Sequence, residues 1–339
     1  MKKLLNTLYV LTPDSYLFCR NETICVKIGE DEQVSIPALS VDSIVCFGKN
    51  TVSTPLIAFC AERGISLVFL SEHGRFIARV EGPVSGNVLL RRRQYESLDD
   101  RSFSAAFVRS LLMAKLRNSK TVLLRSARNE ESGDTALYDA AGRLSELAKS
   151  LLGTDSIDTM RGIEGAAASV YFSCFDRMLG DACQFRFEAR SRRPPNNEVN
   201  AALSFVYTIL RREIASALET VGLDPAAGYL HTLRPGRPSF ALDLMEELRA
   251  PMCDRFVLTL FRRKQLSCSQ FESYEDAVYL NEKGRRTVLT AWQKRKGETI
   301  DHPFLGEKVQ IGLVPYVQAM LFARLLRGDL DCYPPFVWR

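Results

Sequence analysis

The sequence lacks several patterns on which common functions depend. Its nine cysteines are scattered and form no CxxC pair, which argues against a zinc ribbon and a thioredoxin-like redox site. It contains no P-loop, no GxGxxG fingerprint and no evident Ser-His-Asp arrangement. It has neither an apolar run of about eighteen residues, as a membrane span requires, nor a signal-peptide pattern at its start. We therefore expect a cytoplasmic protein with reduced cysteines and no membrane contact.

Charge is distributed unevenly along the chain. The 339 residues include 45 Lys and Arg and 40 Asp and Glu, a net charge of +5. Residues 1–90 hold 8 basic and 9 acidic side chains, whereas residues 91–339 hold 37 and 31. If a polyanion binds, we expect it to bind the second part of the chain.

The first ninety residues have the pattern of short strands joined by tight turns. Segments rich in Val, Ile and Phe and bounded by Gly, Pro, Asn or Asp predict strands, namely TICVKIG, QVSIPAL, SIVCFG, ISLVFLS and RFIARVEG. One helix is predicted over STPLIAFCAERG, with Ser53 as N-cap, Pro55 in the first turn and Gly64 as the C-terminal glycine.

After RRRQYES the apolar residues recur with helical period. Long segments such as SFALDLMEELRAPMCDRFVLTLFRRKQ and EDAVYLNEKGRRTVLTAWQKRKG are each predicted to be one helix. The sequence thus predicts an α+β protein with a small N-terminal β-rich domain at 1–90, a linker at 91–100, and a larger, nearly all-α domain at 101–339.

A histidine and three carboxylates lie close together in GYLHTLRPGRPSFALDLMEELR. His231 precedes a Pro- and Gly-rich loop, after which a helix carries Asp243, Glu246 and Glu247. Histidine with carboxylates suits Mn²⁺, and Mg²⁺ less naturally. The alternative is a loop histidine near a solvated face of an amphipathic helix, and this segment alone leaves both interpretations open.

Another carboxylate stands out in RGIEGAAASVYF. Glu164 lies among small residues that let another element pack closely, and burying a carboxylate there is costly unless it is paired or bound to a metal. The alternative is a glutamate in the first turn of a helix, where the macrodipole favours negative charge. The pattern does not decide between the two.

Basic clusters surround these segments in the sequence. Such clusters are usually solvated, but beside a metal site they suit binding of a phosphodiester backbone. The metal would then polarise the phosphoryl oxygen and activate an attacking hydroxyl. The candidate DNA-binding residues are Arg190, Arg192, Arg193, Arg262, Arg263, Lys264, Arg285 and Arg286.

The whole chain resembles the CRISPR-associated endonuclease/integrase that is the universal catalytic subunit of spacer acquisition. The resemblance lies in the order and spacing of four segments, namely RGIEGAAASVYF, RSRRPPNNEVNAALSFVYTIL, GYLHTLRPGRPSFALDLMEELR and STPLIAFCAERGISLVFLSEHGRF. The length and the opening MKKLLNTLYV are similar to those of subtype I-C members.

The resemblance implies a metal-dependent enzyme that joins 3′-hydroxyl ends of short DNA fragments into a repeat array. It implies that Glu164, His231 and Glu246 hold Mg²⁺ or Mn²⁺, with Asp243 as a further acidic residue of the catalytic site. It also implies a homodimer formed largely through the N-terminal domains, a small ferredoxin-like CRISPR partner protein that bridges two dimers, and a RecB-like CRISPR exonuclease beside them.

Two rival functions remain open at this point. A non-catalytic DNA-binding scaffold needs only the basic surface, whereas catalysis needs Glu164 to meet His231 and Glu246 in space. A metallohydrolase that acts on something other than nucleic acid is weaker, because it gives the arginine clusters no purpose and predicts a small enclosed pocket. Glu164 and Glu246 are 82 positions apart, so only the fold can bring them together.

Overall fold

The computed structural model describes residues 7–29, 31–41, 43–72, 76–80, 88–128, 134–192, 194–275 and 277–338. The chain forms two compact units. The first consists of Met1–Gly86, Leu280–Glu298 and Gln310–Leu313, and the second of Asn87–Tyr279, Thr299–Val309 and Val314–Arg339.

The first unit contains two four-stranded sheets. One has the order β1-β5-β7-β8, with parallel pairing except between β7 and β8. The other has the order β4-β3-β2-β6, antiparallel except between β2 and β6. The strands are β1 Thr7–Val10, β2 Ser15–Arg20, β3 Thr23–Ile28, β4 Asp31–Pro37, β5 Ser43–Phe47, β6 Asn50–Val52, β7 Ser66–Leu70 and β8 Phe76–Val80.

The helix predicted in this unit is confirmed with both of its caps. Helix α1 spans Thr54–Arg63, the Ser53 side chain accepts a hydrogen bond from Leu56 N, and Gly64 ends the helix in the left-handed region at φ +67°. The five predicted strands are present as well, as β3, β4, β5, β7 and β8. Leu17, Ile44 and Leu67 are fully buried in the core of this unit.

The second unit is built mainly from helices, in agreement with the predicted α+β architecture. Its helices are α2 Val88–Asp99, α3 Arg101–Arg128, α4 Thr135–Ser150, α5 Ile157–Ser173, α6 Phe175–Leu179, α7 Glu198–Val221, α8 Ser239–Leu248, α9 Arg255–Arg262 and α11 Val314–Arg327. Two small hairpins, β9 Phe271–Tyr274 with β10 Ala277–Leu280 and β11 Thr299–Asp301 with β12 Lys308–Gln310, accompany them. Within the described ranges, no helix has the length and apolar character needed to cross a membrane.

The observed units differ from the predicted domains in two places. Residues 91–100 were predicted as a linker but lie almost wholly in helix α2, which belongs to the second unit. Helix α10, Glu282–Lys296, belongs to the first unit, where the Gln293 side chain donates a hydrogen bond to Thr7 O at 3.1 Å. Helical periodicity reports which face of a helix is buried, not which domain buries it, so the sequence could not reveal this return of the chain.

Two segments predicted as single helices are interrupted. Residues 239–265 form α8, a π-helical turn at Arg249–Asp254, and then α9. Pro251 explains the interruption, because proline has no N–H for the helical ladder and its ring crowds the preceding turn. Residues 275–297 contain strand β10 before α10, whose N-cap Asn281 accepts from Gly284 N.

An aromatic core holds the segments around α8 together. The Phe107 ring on α3 lies 4.8 Å from Phe322 on α11. It lies 5.0 Å from Tyr333 in residues 328–338, which follow α11 and which we call the C-terminal segment. Phe240, at the start of α8, lies 4.6 Å from Phe322, and Tyr229 lies 5.1 Å from Phe107. Because Tyr229 precedes His231 by two residues, this packing fixes the histidine loop beside α8.

Candidate metal centre

Helix α8 is not the solvated amphipathic helix that one interpretation of its sequence suggested. Asp243, Glu246 and Glu247 are only 0%, 3% and 0% exposed. All three carboxylates are therefore buried together with the apolar face, and the interpretation as a solvated face is wrong. Buried carboxylates need hydrogen bonds or cations as partners, and each of the three has a different set.

Asp243 organises the histidine loop. Its carboxylate accepts hydrogen bonds from Tyr229 N at 2.6 Å, Leu230 N at 3.0 Å and His231 N at 2.9 Å. It also lies 2.6 Å from His231 Nδ1. With Nδ1 donating to this carboxylate, the neutral imidazole presents its Nε2 lone pair, as a metal-binding histidine does. His231 Nε2 faces Glu246 Oε1 at 3.9 Å.

Gly228 makes the close approach of this loop possible. A Cβ at this position would lie 2.6 Å from Ser239 Cβ and 2.9 Å from Phe240 N at the start of α8. Real Cβ atoms do not come so close, so another residue here would push the loop away from the helix. The glycine thereby sets the distance between His231 and the carboxylates of α8.

Glu164 lies in the interior of a helix rather than at its start. Helix α5 begins at Ile157, with Ser156 as N-cap, so the alternative interpretation as a first-turn glutamate is wrong. The Glu164 carboxylate forms an ion pair with the ammonium of Lys115 on α3, and the same ammonium lies 2.7 Å from Glu246 Oε2. One cation thus joins the carboxylates of α5 and α8.

Glu246 is surrounded by positive charge. Arg249 Nη2 lies 2.9 Å from Glu246 Oε1, whereas Lys115 contacts the other carboxylate oxygen, Oε2. Burial alone would raise the pKa of Glu246, but the Arg249 and Lys115 cations outweigh it and lower the pKa to about 2. Glu246 is therefore ionised at neutral pH. We call Lys115, Glu164, His231, Glu246 and Arg249 the site cluster.

The donor set of the site cluster fits a divalent cation. Glu164 and Glu246 already share one cation, and His231 Nε2 is oriented towards the same region by Asp243. Two carboxylates and an imidazole are suitable ligands for Mn²⁺ and acceptable for Mg²⁺. Within the described residues, no three His, Cys, Asp or Glu side chains are arranged as a ready metal site.

The pocket of the site cluster continues into a buried polar network. The Tyr207 hydroxyl donates to Asp254 Oδ1 at 2.5 Å, and the Arg190 and Arg249 guanidinium groups lie over the Tyr207 ring at 5.4 and 5.3 Å. Burial raises the pKa of Asp254 to about 6, against the hydrogen bonds and cations that lower it. This network holds Arg249 where it pairs with Glu246.

Glu247 has different partners from its neighbour Glu246. Its Oε1 accepts from Tyr333 Oη at 2.7 Å and Gln318 Nε2 at 2.9 Å, and its Oε2 accepts from Phe336 N at 2.6 Å. Burial raises the pKa of Glu247 to about 7, although these hydrogen bonds oppose the shift. The carboxylate attaches the C-terminal segment to α8.

Asn118 completes this attachment from helix α3. Its amide donates to Glu247 O at 2.7 Å and to Phe336 O at 2.8 Å, and its Oδ1 accepts from Trp338 N at 2.8 Å. An i→i−4 bond to Glu247 O would come from residue 251, which is a proline without N–H, so Asn118 supplies a donor to this carbonyl. We call Asn118, Glu247, Gln318, Tyr333 and Phe336 the anchor cluster.

The predicted DNA-binding residues fall into different environments. Arg192 is exposed and lines the pocket of the site cluster. Arg190 is half-buried, and its guanidinium donates to Asn200 Oδ1 at 2.8 Å. Arg263 and Lys264 are exposed and Arg262 is half-buried, whereas Arg193 lies outside the described residues.

The last two predicted DNA-binding residues belong to the first unit. Arg286 is exposed and lies 3.5 Å from Glu282. Arg285 is only 7% exposed, and its Nη1 donates to Leu280 O at 2.7 Å. Arg285 is thus a structural residue rather than a surface cation, because its position on α10 turns it towards the interior of its unit.

Sequence reasoning missed Lys115, Arg249 and the members of the anchor cluster other than Glu247. A signal for two of these residues was present in LLMAKLRN, where Lys115 follows Leu111 and Leu112 at helical spacing and Asn118 continues the same stripe. A lysine and an asparagine on the apolar stripe of a helix need buried polar partners. No local signal indicated that the partners would come from α5, α8 and the C-terminal segment.

Comparison with known proteins identifies relatives over the whole chain. The sequence model of the family described as CRISPR associated protein Cas1 matches residues 8–294. A CRISPR-associated endonuclease Cas1 of Chlorobaculum tepidum is 47% identical over 343 residues, covering 100% of both chains. A CRISPR-associated exonuclease Cas4/endonuclease Cas1 fusion of Rhodospirillum rubrum is 32% identical over 97% of this chain and 57% of its own length.

Solved structures share the fold. A Cas1 protein from Thermotoga maritima superposes with a TM-score of 0.85 at 22% identity, covering 97% of this chain and 99% of its own. A casposase bound to integration product gives 0.83 at 21% identity, covering 96% and 92%. A chain of a Cas6-RT-Cas1–Cas2 complex gives 0.84 at 20% identity, covering all of this chain and 36% of that one.

Proposed function

Because this chain belongs to the CRISPR-associated Cas1 protein family, we propose that it is a metal-dependent DNA endonuclease and integrase of CRISPR adaptation. It joins the 3′-hydroxyl ends of short DNA fragments to the repeat array by phosphoryl transfer. The fragment oxygen forms a new P–O bond and loses its proton, while the old P–O bond breaks and the leaving 3′-oxygen gains a proton. The relatives named endonucleases and the casposase bound to integration product support this class of reaction.

One observation supports catalysis over a DNA-binding scaffold. Glu164 on α5 and Glu246 on α8 line one pocket and share the Lys115 ammonium, and His231, on its own loop, brings Nε2 to 3.9 Å from Glu246 Oε1. A scaffold has no need to bury Asp243 and Glu246 on one helix and orient an imidazole between them, since such burial is costly. Clusters of this kind are typical of functional sites.

Glu164, Glu246 and His231 Nε2 would hold the metal ion, Mn²⁺ or Mg²⁺. When bound, a divalent cation polarises a phosphoryl oxygen, stabilises the developing charge and lowers the pKa of the attacking hydroxyl. Asp243 holds His231 in the tautomer with a free Nε2. Arg249 keeps Glu246 ionised and in place.

The basic residues bind DNA without reading its sequence. Arg192, exposed at the pocket, would contact a phosphate close to the reacting one. Arg262, Arg263, Lys264 and Arg286 would contact the backbone elsewhere. Arg190 would act indirectly through its hydrogen bond to Asn200 and its stacking on Tyr207.

The protein would work as an assembly. The Cas6-RT-Cas1–Cas2 complex and the Cas4/Cas1 fusion support partnership with other CRISPR-associated proteins. For this chain we propose a homodimer through the N-terminal units, a small ferredoxin-like partner that bridges two dimers, a RecB-like exonuclease and double-stranded DNA. We also propose subtype I-C, because the segment MKKLLNTLYV is similar to one in members of that subtype.

A joining assay tests the proposal. Supercoiled DNA with a CRISPR repeat and a short duplex with free 3′-hydroxyls are incubated with the protein and its small partner, in Mn²⁺ or EDTA. His231→Ala and Glu246→Ala run in parallel, with binding measured by anisotropy. We expect joined product only with metal and the wild-type residues, and nearly unchanged DNA affinity in both variants. Binding without joining or nicking by the wild-type protein would favour the scaffold.

A further inference from the structure

Lys115 has an unusual position for a lysine. It lies on α3 beside the buried Leu111 and Leu112, and its side chain is only 11% exposed. The ammonium pairs with Glu164 and lies 2.7 Å from Glu246 Oε2. It therefore lies between the two carboxylates that the proposed function assigns to a metal ion.

The charges of this pocket already balance. Glu164, Glu246 and Asp254 contribute three negative charges to its lining, and Lys115, Arg192 and Arg249 contribute three positive charges. A divalent ion added to this neutral set would leave two surplus positive charges in a buried place, which is strongly unfavourable. One resident cation must leave the carboxylates for the metal to bind well.

Of the two cations, Lys115 is the one that can move. Arg249 is fixed by its pair with Glu246 Oε1 at 2.9 Å and by stacking over Tyr207 at 5.3 Å. Lysine carries a compact charge on a flexible four-carbon stem, and its head can turn towards water while the stem stays in place. Lys115 also lines the pocket together with the exposed Arg192, and its partner Glu164 is itself 26% exposed, so water lies near the ammonium.

We propose that Lys115 is a resident counter-ion that occupies the shared side of Glu164 and Glu246 in the metal-free protein and is displaced when a divalent cation binds. The inference rests on the proposed metal site. It assigns two effects to this lysine. Lys115 stabilises the metal-free fold by neutralising the buried Glu246 and the half-buried Glu164, and it weakens metal binding because the ion must compete with it.

Direct metal titration tests this competition without any reaction. Mn²⁺ binding to the full chain is measured by calorimetry and by the electron paramagnetic resonance of free Mn²⁺, for the wild type and Lys115→Met. We expect the variant to bind Mn²⁺ at least ~10-fold more tightly, about 1.4 kcal/mol. In EDTA it should melt at a lower temperature than the wild type and gain more from added Mn²⁺. Equal or weaker Mn²⁺ binding by Lys115→Met would overturn the proposal.

Further variants control for charge and for folding. Lys120→Met, on the same helix but not lining the pocket, should bind Mn²⁺ like the wild type. Lys115→Arg keeps the charge and should show no gain in affinity, whereas Lys115→Gln removes it and serves if the methionine variant does not fold. A gain in Lys115→Arg as large as in Lys115→Gln would overturn the proposal.

A Glu246→Ala arm separates failure of this inference from failure of the metal site. If Glu246→Ala binds Mn²⁺ as the wild type does, the proposed metal site is wrong and the inference falls with it. If Glu246→Ala loses Mn²⁺ while Lys115→Met is unchanged, the metal site remains and only the counter-ion role is refuted.

Discussion

Glu246 and Glu247 are neighbours on one helix, are both buried, and behave in opposite ways. Glu246 lies between Lys115 and Arg249, and its pKa is lowered to about 2. Among the described residues, Glu247 accepts hydrogen bonds from neutral donors of Tyr333, Gln318 and Phe336, and its pKa is raised to about 7. The two side chains point into the site cluster and the anchor cluster, respectively.

The difference shows that burial does not by itself decide what a carboxylate does. Removal from water disfavours the charge of both residues, and the partners determine the outcome. Cations keep Glu246 ionised, whereas hydroxyl and amide donors let Glu247 hold the C-terminal segment with only part of its charge at neutral pH. Under the proposed function, the site cluster serves chemistry and the anchor cluster serves structure.

The largest expected effect concerns the anchor cluster. Glu247→Ala would leave the Tyr333 hydroxyl, the Gln318 amide and Phe336 N without their acceptor. Since unsatisfied buried groups cost about 1–3 kcal/mol each, we expect a loss of about 3–5 kcal/mol. Urea unfolding measures this loss of stability. The rate of DNA joining per folded molecule should stay close to that of the wild type. A loss below about 1 kcal/mol would mean that Glu247 does not hold the C-terminal segment.

The ionisation of Glu247 should also make the stability of the protein depend on pH. In the unfolded chain Glu247 ionises near its ordinary pKa of 4.5, and in the folded protein at about 7. Between these values the folded state holds a proton that the unfolded state has released, so stability falls as pH rises.

The Glu247→Gln side chain cannot titrate, so its stability should not fall in this way. The stability difference between variant and wild type should therefore shift in favour of the variant by about 3 kcal/mol as pH rises from 4.5 to 7. The measurement is urea unfolding of both proteins in EDTA across this range. A difference between the two proteins that stays constant with pH would show that Glu247 titrates normally.

A smaller loss of stability is expected for a substitution in the histidine loop, and unlike Glu247→Ala it should also weaken metal binding. Gly228→Ala forces a Cβ to within 2.6 Å of Ser239 Cβ, so we expect a loss of about 1–3 kcal/mol in stability. Moving His231 should also weaken Mn²⁺ binding and joining by roughly 10- to 100-fold.

Gly142→Ala on α4 is the matched control, because a Cβ there meets no atom within 4 Å. It should be neutral or slightly stabilising, by up to about 1 kcal/mol. Normal Mn²⁺ binding by Gly228→Ala would show that the loop position does not set the site.

The smallest expected effect is on DNA binding. Arg192→Ala removes one exposed cation at the pocket, so the slope of log affinity against log salt should decrease by about 1. Arg92→Ala, which removes an exposed arginine paired with Glu96 on α2, should change the slope less. Equal slopes for Arg192→Ala and the wild type would place Arg192 away from DNA.

Sequence patterns predicted much of this fold, and their failures have physical reasons. The caps at Ser53 and Gly64 are local, so α1 was predicted correctly. The return of α10 to the first unit depends on packing between residues that are distant in sequence. The break at Pro251 depends on the competition between helical periodicity and a proline within the same segment. His231, Asp243 and Glu246 lie within sixteen positions and could be proposed together, and resemblance added Glu164 to them.

The burial of all three acids on α8 could not be predicted. An amphipathic pattern shows one apolar face, and it does not reveal that polar partners from α3 and the C-terminal segment will cover the other face. Lys115 and Asn118 stood on an apolar stripe, which indicated that they needed partners without identifying them. The sequence alone therefore did not show which residues belong to the site cluster and which to the anchor cluster. Only the fold distinguishes them.

The most direct test compares Glu246→Gln and Glu247→Gln in the same joining assay, with each rate divided by the folded fraction. Both substitutions replace a buried carboxyl group on α8 with an amide and preserve side-chain size. We predict that Glu246→Gln lowers joining on the order of 100-fold or more, while Glu247→Gln retains the wild-type rate to within a few-fold. Equal losses in both variants, or normal joining by Glu246→Gln, would contradict the assignment of Glu246 to the metal and Glu247 to the anchor.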